Sequence, residues 1–288
     1  MTTEDSTGVV PGALYVVATP IGNREDITLR ALRVLREVSV VAAEDVRHTR
    51  MLLTHFGIST RLLSYREANK AVAIASVLTE LERGAVALVS DAGMPAISDP
   101  GVDLVVAVLD AGRRVEVVPG ANAALTALVS SGLPPTPFTF VGFLSRQRGD
   151  RLRALASLAI RSDTLVFYEA PHRLLQTLKD MRDTCGDRPA AACRELTKRY
   201  EEVRRGTLST LYAHFVETAP RGEFCLVVGG ALTQTPLAVD DATLDRWLRE
   251  GMQADVDMRE LVSTLAHDHN LQRRVVYARW QALRRDDD

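Results

Sequence analysis

The chain has 288 residues, a formal net charge of −2 and a hydrophobic fraction of 46%, a composition typical of globular proteins that excludes wholesale disorder. This length predicts two domains and a small additional segment. No apolar run approaches the ~20 residues that span a bilayer, and the acidic first eight residues do not resemble a secretory or transit peptide. We therefore expect a cytoplasmic protein that does not contact membranes.

The cysteines and histidines form no pattern typical of a disulfide framework or a metal centre. Cys185, Cys193 and Cys225 are odd in number and lack Cys-x-x-Cys spacing. His267 and His269 are close in sequence, but no thiol or carboxylate at ligand spacing accompanies them. We therefore expect no metal site.

Strands and helices alternate through the first half of the chain. Short apolar runs predict strands at 14–18, 38–43, 62–65, 85–90 and 115–118. Helical spacing of apolar residues and terminal glycines predict helices at 27–38, 49–56, 71–83 and 102–109. This order is typical of a parallel α/β sheet. It predicts an N-terminal α/β domain at 13–133, after a disordered tail at 1–12.

Turn residues follow four of these strands. They are Thr19-Pro20, Glu44-Asp45, Ser90-Asp91 and Pro119-Gly120. The carboxyl ends of parallel strands meet at one edge of a sheet, where ligands bind. Ordinary loops would explain each segment alone but explain all four less well, so this edge is predicted to hold a site.

A proline-rich linker, Leu133–Pro137, separates the first half from the rest. A second α/β domain is predicted at 138–232, with strands at 138–144, 164–168, 190–193 and 224–228 and helices at 150–159, 174–184 and 207–217. A helical appendage is predicted at 240–288. Five arginines are expected to give it a basic face: Arg273, Arg274, Arg279, Arg284 and Arg285.

Arginine supplies nearly all of the positive charge, since only three of the 35 cationic residues are lysines. Codon bias is the simplest explanation. Between residues 143 and 205, however, there are 14 cations and 9 acids, so the middle of the chain is locally basic. Because guanidinium groups bind phosphate in a bidentate manner, this region is suited to an anionic polymer.

The common nucleotide-binding and hydrolase motifs do not occur in the sequence: no P-loop, no Gly-x-Gly-x-x-Gly after the first strand and no nucleophile elbow. A loop rich in glycine and proline, residues 88–101, stands in their place. Asp91 could accept a hydrogen bond from a ligand, and Gly93 allows a close approach of the backbone. A purely structural turn would explain one glycine and one proline only. The larger number in this loop therefore favours a role in ligand binding.

Six segments together resemble the tetrapyrrole methylase superfamily, and within it the branch that methylates the ribose 2′-hydroxyl of a cytidine in the decoding region of 16S rRNA. They are Ala18–Thr28, Ala43–Arg47, Ser90–Gly101, Val118–Asn122, Tyr168–Arg173 and Arg194–Lys198. The resemblance spans residues 13 to 230. It implies two α/β domains with a cofactor cleft between them, S-adenosylmethionine as the cofactor, 16S rRNA or the small ribosomal subunit as the partner, and a homodimer.

The resemblance also implies which residues contact the cofactor. They are Pro20, Asp91, Gly93, Met94, Pro95, Ile97, Ser98, Asn122, Ala123, Tyr168, Gly222 and Glu223. Gly93–Pro95 occupies the place of the superfamily's Gly-Asp-Pro and is expected near the methionine part of the cofactor. Position 46 is a valine here, whereas the branch more often has threonine at this position. Any contact that the threonine hydroxyl makes with RNA would be missing in this chain.

Methyl transfer to a hydroxyl requires a proton acceptor, because the protonated group is a poor nucleophile. Candidates in the matched segments are Glu44, Asp45, Glu169, His172, Glu195 and Lys198. Of these, the residues predicted to be catalytic are Glu44, Asp45, Glu169 and Lys198. A structural ion pair with a nearby arginine is the alternative for each. Contacts with RNA phosphates are predicted for Arg24, Arg47, Arg50, His172, Arg173 and Arg194.

Two other functions stay open at this point. A methyltransferase on the route to sirohaem or cobalamin would share the fold and the cofactor, although Tyr168–Arg173 and the basic C-terminal helices favour RNA. A non-catalytic adaptor could bind rRNA through its arginines, but the intact cofactor loop disfavours this hypothesis.

Overall fold

The computed structural model describes residues 8–231, 240–254, 256–269, 271 and 273–286. These residues form two compact units, one up to residue 231 and one made of the C-terminal helices. The first unit contains two five-stranded sheets. The predicted fold class, two α/β domains followed by helices, is confirmed. Residues 1–7 of the predicted N-terminal tail lie outside the described residues. In the remaining part of that tail, Val10 packs against the core.

The first domain is built on a fully parallel sheet in the order β3-β2-β4-β1-β5. Its strands are β1 (Leu14–Val17), β2 (Val40–Ala43), β3 (Arg61–Ser64), β4 (Val86–Val89) and β5 (Val115–Val118). Its helices are α1 (Leu29–Glu37), α2 (Val46–His55), α3 (Lys70–Arg83), α4 (Val102–Asp110) and α5 (Ala123–Ser131).

The three central strands of this sheet are continuous apolar runs because both faces of the sheet are covered. Every residue of β1, β2 and β4 is buried. In register, Val17 lies beside Val118, and Ala43 lies beside Val89. The carboxyl ends of these strands therefore meet at one edge, where the predicted turn segments follow them.

The second domain has a mixed sheet in the order β6-β7-β10-β8-β9. Its strands are β6 (Phe138–Phe143), β7 (Thr164–Glu169), β8 (Pro189–Arg194), β9 (Glu202–Thr207) and β10 (Phe224–Val228), and its helices are α6 (Arg148–Leu158), α7 (Leu174–Cys185) and α8 (Leu208–Glu217). Only the pair β6–β7 is parallel. Strand β9 is not among the predicted elements, because Glu-Val-Arg-Arg-Gly-Thr has one apolar residue; an edge strand tolerates such charge.

A buried ion pair joins α6 to α7. The side chains of Asp180 and Arg151 are 1% and 6% exposed, and Arg151 Nε and Nη2 each lie 2.8 Å from Asp180 Oδ2. Arg151 Nη1 also donates to the backbone carbonyls of Ser145 and Arg146, at 3.1 and 3.2 Å. The pair therefore anchors the loop that follows β6.

The C-terminal unit consists of α9 (Asp241–Gln253), α10 (Met258–Asp268) and α11 (Arg273–Asp286). They share a small core that includes Leu248 and Val276. The arginines of the predicted basic face have different surroundings: Arg279 Nη2 donates to Asp245 Oδ2 at 2.8 Å, whereas Arg284 lies over the ring of Trp280. The side chain of Arg285 lies outside the described part of the chain. No helix among the described residues is long and apolar enough to cross a membrane.

Candidate functional site

A cavity of about 350 Å³ lies between the two α/β domains. The first domain contributes the loops after β1, β4 and β5, through Ile21, Ala92, Gly93, Met94, Ile97, Ser98, Asp99, Asn122 and Ala123. The second domain contributes Phe143, Tyr168, Glu169, Ala170, Pro171, Cys193, Glu195, Leu196, Lys198, Glu223, Phe224 and Cys225. The predicted cleft at the strand ends of the first domain is therefore present.

Backbone hydrogen bonds fix the floor of this cavity. Thr19 N donates to Gly93 O at 2.8 Å, and Gly93 N donates to Thr19 O at 3.0 Å. Gly93 has a φ of +79°, and a Cβ there would lie 3.3 Å from Ile21 Cγ2. Glycine is therefore favoured both by its conformation and by the close approach of the two loops.

Two loops that line the cavity contain non-glycine residues with positive φ. Ala96 and Ser98 have φ values of 67° and 66°, and Glu195 and Thr197 have values of 48° and 65°. Such conformations persist only where surrounding contacts hold them, and they cluster at ligand-binding sites. Here they occur on both sides of the same cavity, which supports a binding role for it.

Three carboxylates lie near the carboxyl ends of β2 and β4. Asp99 lines the cavity, and burial together with the charge of Glu44 raises the pKa of Asp99 to about 6. Burial and the neighbouring Asp91 also raise the pKa of Glu44. An Asp99 carboxylate with this pKa is largely ionised at neutral pH and can accept a proton from a bound hydroxyl.

Aromatic side chains form part of the second domain's wall. The rings of Phe140 and Phe143 lie 5.0 and 5.5 Å from that of Tyr168, between centroids. Burial raises the pKa of Tyr168 to about 12, so its phenol is neutral at physiological pH. This wall is suited to a planar, partly apolar ligand.

Eight of the predicted cofactor residues line the cavity: Gly93, Met94, Ile97, Ser98, Asn122, Ala123, Tyr168 and Glu223. Pro20, Asp91, Pro95 and Gly222 do not line it. Asp91 Oδ1 instead accepts a hydrogen bond from the backbone N–H of Asp45 at 3.0 Å. A Cβ on Gly222, which has a φ of +81°, would lie 2.6 Å from Glu195 Cγ. These two residues shape the loops around the cavity.

Some of the predicted catalytic residues line the cavity and others do not. Glu169 and Lys198 line the cavity, whereas Glu44 and Asp45 do not. The carboxylate of Glu169 is buried and accepts from Thr177 Oγ1 at 2.5 Å and from the N–H of Ala170 at 2.9 Å. Asp45 caps α2, where the N–H groups of Arg47 and His48 lower its pKa. The contacts of Glu169 and Asp45 are those of structural carboxylates.

Lys198 is held as an ammonium group. Its Nζ lies 3.1 Å from Glu195 Oε1 and 2.8 Å from Glu223 Oε2. Burial alone would lower the pKa of Lys198, but the hydrogen bonds to Glu223 and Glu195 raise it above its ordinary value. A protonated lysine cannot accept a proton, so this residue is placed to fix the two carboxylates at the cavity wall.

The residues predicted to hold RNA phosphates lie outside this cavity. His172 and Arg173 line a second hollow beside it. The side chain of Arg47 is 91% exposed. Arg24 Nη1 lies 3.2 Å from His55 Nδ1, Arg50 donates to the carbonyl of Thr60, and Arg194 donates to that of Arg221.

The sequence analysis missed several cavity residues, among them Asp99, Phe143, Cys193 and Cys225. Asp99 could have been found, because it lies within the same glycine- and proline-rich loop as Asp91. Nothing in the sequence distinguishes Phe143 from an ordinary strand residue. Burial raises the pKa of Cys193 to about 11 and that of Cys225 further, so both thiols are unreactive apolar groups. Among the residues with described positions, no group of three His, Cys, Asp or Glu could hold a metal ion.

The model of the tetrapyrrole (corrin/porphyrin) methylase family matches residues 13–212. The chain belongs to this family. Among its relatives, ribosomal RNA small subunit methyltransferase I of Halalkalibacterium halodurans is 53% identical over 220 residues, 76% of each chain. The protein of that name from Bacillus subtilis is 44% identical over 274 residues, 92% of this chain and 93% of its own.

Solved structures of other methyltransferases share this fold. Uroporphyrin-III-C-methyltransferase from Thermus thermophilus is 29% identical and superposes with a TM-score of 0.55 over 76% of this chain and 94% of its own. Cobalt precorrin-4 methyltransferase, a cobalamin biosynthetic enzyme, has a TM-score of 0.60 at 19% identity, covering 77% of this chain and 98% of its own, and shows the fold alone.

Membership of the methylase family indicates S-adenosylmethionine as the methyl donor. A uroporphyrin-III C-methyl transferase structure from Thermus thermophilus, 23% identical to this chain, was solved in complex with S-adenosylhomocysteine. The cavity fits such a molecule. Its aromatic and apolar walls suit a purine ring, and the carboxylate of Asp99 suits a positively charged sulfonium.

Asp91→Ala should weaken the binding of S-adenosylmethionine by about tenfold, the loss expected when one hydrogen bond no longer holds the loop. The fold should persist, because the carboxylate lies at a loop beyond the strand end. Isothermal titration calorimetry measures the affinity, and thermal unfolding monitors the fold. Asp110→Ala, on an exposed residue at the end of α4, is the control. An unchanged affinity in Asp91→Ala would contradict the prediction.

Proposed function

We propose that this chain transfers a methyl group from S-adenosylmethionine to the 2′-hydroxyl of a cytidine ribose in the decoding region of 16S rRNA. The observation that carries the proposal is the 44% identity to the Bacillus subtilis rRNA methyltransferase over 92% of this chain. The cavity supports it, because a carboxylate able to accept a hydroxyl proton lies in its wall. A ribosomal substrate also places the protein in the cytoplasm.

When bound, S-adenosylmethionine supplies an activated methyl group. The chain itself therefore has to bind and orient the two reactants and to remove the proton of the attacking hydroxyl. Gly93, Met94, Asn122 and Tyr168 would hold the cofactor. The Asp99 carboxylate accepts the proton of the attacking hydroxyl. Burial, together with the charge of Glu44, raises the pKa of Asp99 to about 6, and a pKa this close to neutral pH favours general-base catalysis.

The test is methyl transfer from radiolabelled S-adenosylmethionine by the full chain. Small-subunit rRNA, assembled small subunits and uroporphyrinogen are offered separately. We expect label in RNA, recovered after nuclease digestion as 2′-O-methylcytidine. Label in the porphyrinoid alone would instead support a tetrapyrrole methyltransferase. Binding of RNA without any binding of S-adenosylmethionine would support a non-catalytic adaptor.

Binding to RNA should weaken steeply with salt, because Lys and Arg contacts with phosphates release counterions. Each contact contributes a log–log slope of about −0.7 on single-stranded RNA. Three or four contacts would give roughly −2 to −3. Replacing Arg273 and Arg274 by alanine should reduce the slope by about 0.7 to 1.4 and leave cofactor affinity unchanged. Fluorescence anisotropy of RNA binding at several salt concentrations measures the slope, and Arg83→Ala on α3 is the control. An unchanged slope would exclude α11 from the RNA contact.

The proposal includes a homodimer, as in the family that the sequence resembles. Multi-angle light scattering at micromolar concentration should give a mass of twice the 31.6 kDa of one chain. A mass of one chain under these conditions would contradict this part of the proposal.

A further inference from the structure

A second hollow, of about 440 Å³, adjoins the cofactor cavity. Phe143 and Ala170 line both spaces, so the two are contiguous. Its other side chains include Arg146, His172 and Arg173. Phosphate contacts are predicted above for two of these residues, His172 and Arg173, but no part of an RNA chain has been assigned to the hollow itself.

The fold directs an aromatic ring into the hollow. The register of β6 against β7 shifts between Phe140 and Gly142, and Gly142 has a φ of +73°. Such a bulge changes the direction of the side chains that follow, and bulges are frequent beside functional sites. Phe143, the next residue, is 57% exposed, and its ring is tilted by 59° against that of Tyr168. An exposed phenylalanine held in this way can stack on a planar ligand.

The hollow is also positively charged. No acidic side chain is among its lining residues. Arg146 and His172 are exposed, and neither has an ion pair with a carboxylate in the part of the chain that the structure describes. Arg173 is positioned differently: its Nη2 donates to the carbonyl of Leu144 at 2.7 Å, and its Nε lies 3.3 Å from Glu169 Oε1. Arg173 therefore holds the loop, whereas the guanidinium of Arg146 and a ring N–H of His172 can donate to a phosphate.

We propose that this hollow binds one unpaired nucleotide of the RNA substrate, with its base stacked on Phe143 and a phosphate beside Arg146 and His172. An aromatic ring next to cations is the arrangement with which proteins bind single-stranded RNA. The nucleotide's sugar then lies at the boundary of the cofactor cavity that Phe143 and Ala170 form. The proposal rests on the proposed function in taking RNA as the polymer.

Tryptophan placed in the hollow tests the stacking directly. Phe143→Trp and Phe138→Trp place a new indole at opposite ends of β6, and Trp247 and Trp280 give both variants the same background. The full chain is titrated with a short single-stranded RNA of the decoding-region sequence and with its duplex. We expect quenching of the indole at 143 by the single strand only, and none at 138. Anisotropy of the labelled RNA shows that binding occurs in both variants.

Phe143→Ala should lower the affinity for the single-stranded RNA by about 5- to 150-fold, the loss typical of one base–aromatic stack, and Phe143→Tyr should restore it. Binding without quenching at position 143, or equal quenching at 138, would overturn the proposal. So would a Phe143→Ala variant that loses S-adenosylmethionine affinity while its RNA affinity is unchanged, or one whose only defect is loss of a dimer.

The methyl-transfer assay of the unsubstituted chain separates this inference from the proposed function. Transfer of label to RNA without stacking at position 143 would overturn the nucleotide site and leave the function in place. Stacking without methyl transfer would leave the nucleotide site in place and overturn the chemistry.

Discussion

Replacing Asp99 by asparagine should lower the turnover number for methyl transfer to RNA by about 100- to 10,000-fold, the range that general bases contribute. Asparagine keeps the size of the side chain but cannot accept the proton of the attacking hydroxyl. The affinity for S-adenosylmethionine, measured by calorimetry, should change far less than turnover. Single-turnover assays with saturating cofactor and RNA measure the chemical step. Glu82→Gln, an exposed carboxylate near the end of α3, is the control.

The pH dependence gives an independent check of this role. Because burial and the charge of Glu44 raise the pKa of Asp99 to about 6, the base is protonated and inactive below that pH. Turnover should therefore rise through pH 6 and level off above about pH 7. The rise should disappear from the residual activity of Asp99→Asn. A variant that keeps full turnover, or the same pH profile, would show that another group takes the proton.

Asp180→Ala should destabilise the chain by about 3–5 kcal/mol, since it leaves the buried Arg151 guanidinium without its carboxylate. Two donors of Arg151 lose their acceptor, as does Gln176 Nε2, which lies 2.9 Å from Asp180 Oδ1. Urea unfolding followed by far-ultraviolet circular dichroism measures the free energy of unfolding.

A neighbouring carboxylate on the same helix provides the matched control. Asp183 pairs with Lys179 and Arg182 but its side chain is 42% exposed, so Asp183→Ala should cost no more than about 1 kcal/mol. The double change of Arg151 to methionine and Asp180 to leucine should recover much of the loss, because no buried charge is left unpaired. Equal effects of Asp180→Ala and Asp183→Ala would show that burial of the pair has no energetic consequence.

Local pattern was sufficient for most elements of the first domain. The apolar runs predicted at 38–43 and 85–90 correspond to β2 (Val40–Ala43) and β4 (Val86–Val89), because a strand covered on both faces has to be apolar throughout. The helix predicted at 71–83 is α3 (Lys70–Arg83), which ends before Gly84 as expected. Helix α5 had no prediction, since its small residues show little amphipathic contrast.

The sequence pattern does not predict the order or the direction of the strands in the second domain. The antiparallel pairing of β10 with β7 and β8 brings together residues about sixty and thirty positions apart, and no local periodicity encodes that choice. The polar edge strand β9 is stabilised by its pairing with β8, so its own residues give little indication of it.

The amino-acid sequence by itself determined the family, the two α/β domains and the cofactor, because motifs such as Ser90–Gly101 are contiguous in the chain. Only the tertiary structure decided what individual side chains can do. The hydrogen bond that Lys198 donates to Glu223, 25 residues away, helps to raise the pKa of its ammonium group, which disfavours Lys198 as a base. Asp99 is the base proposed here because folding partly buries it near Glu44, and both burial and charge repulsion depend on neighbours distant in sequence.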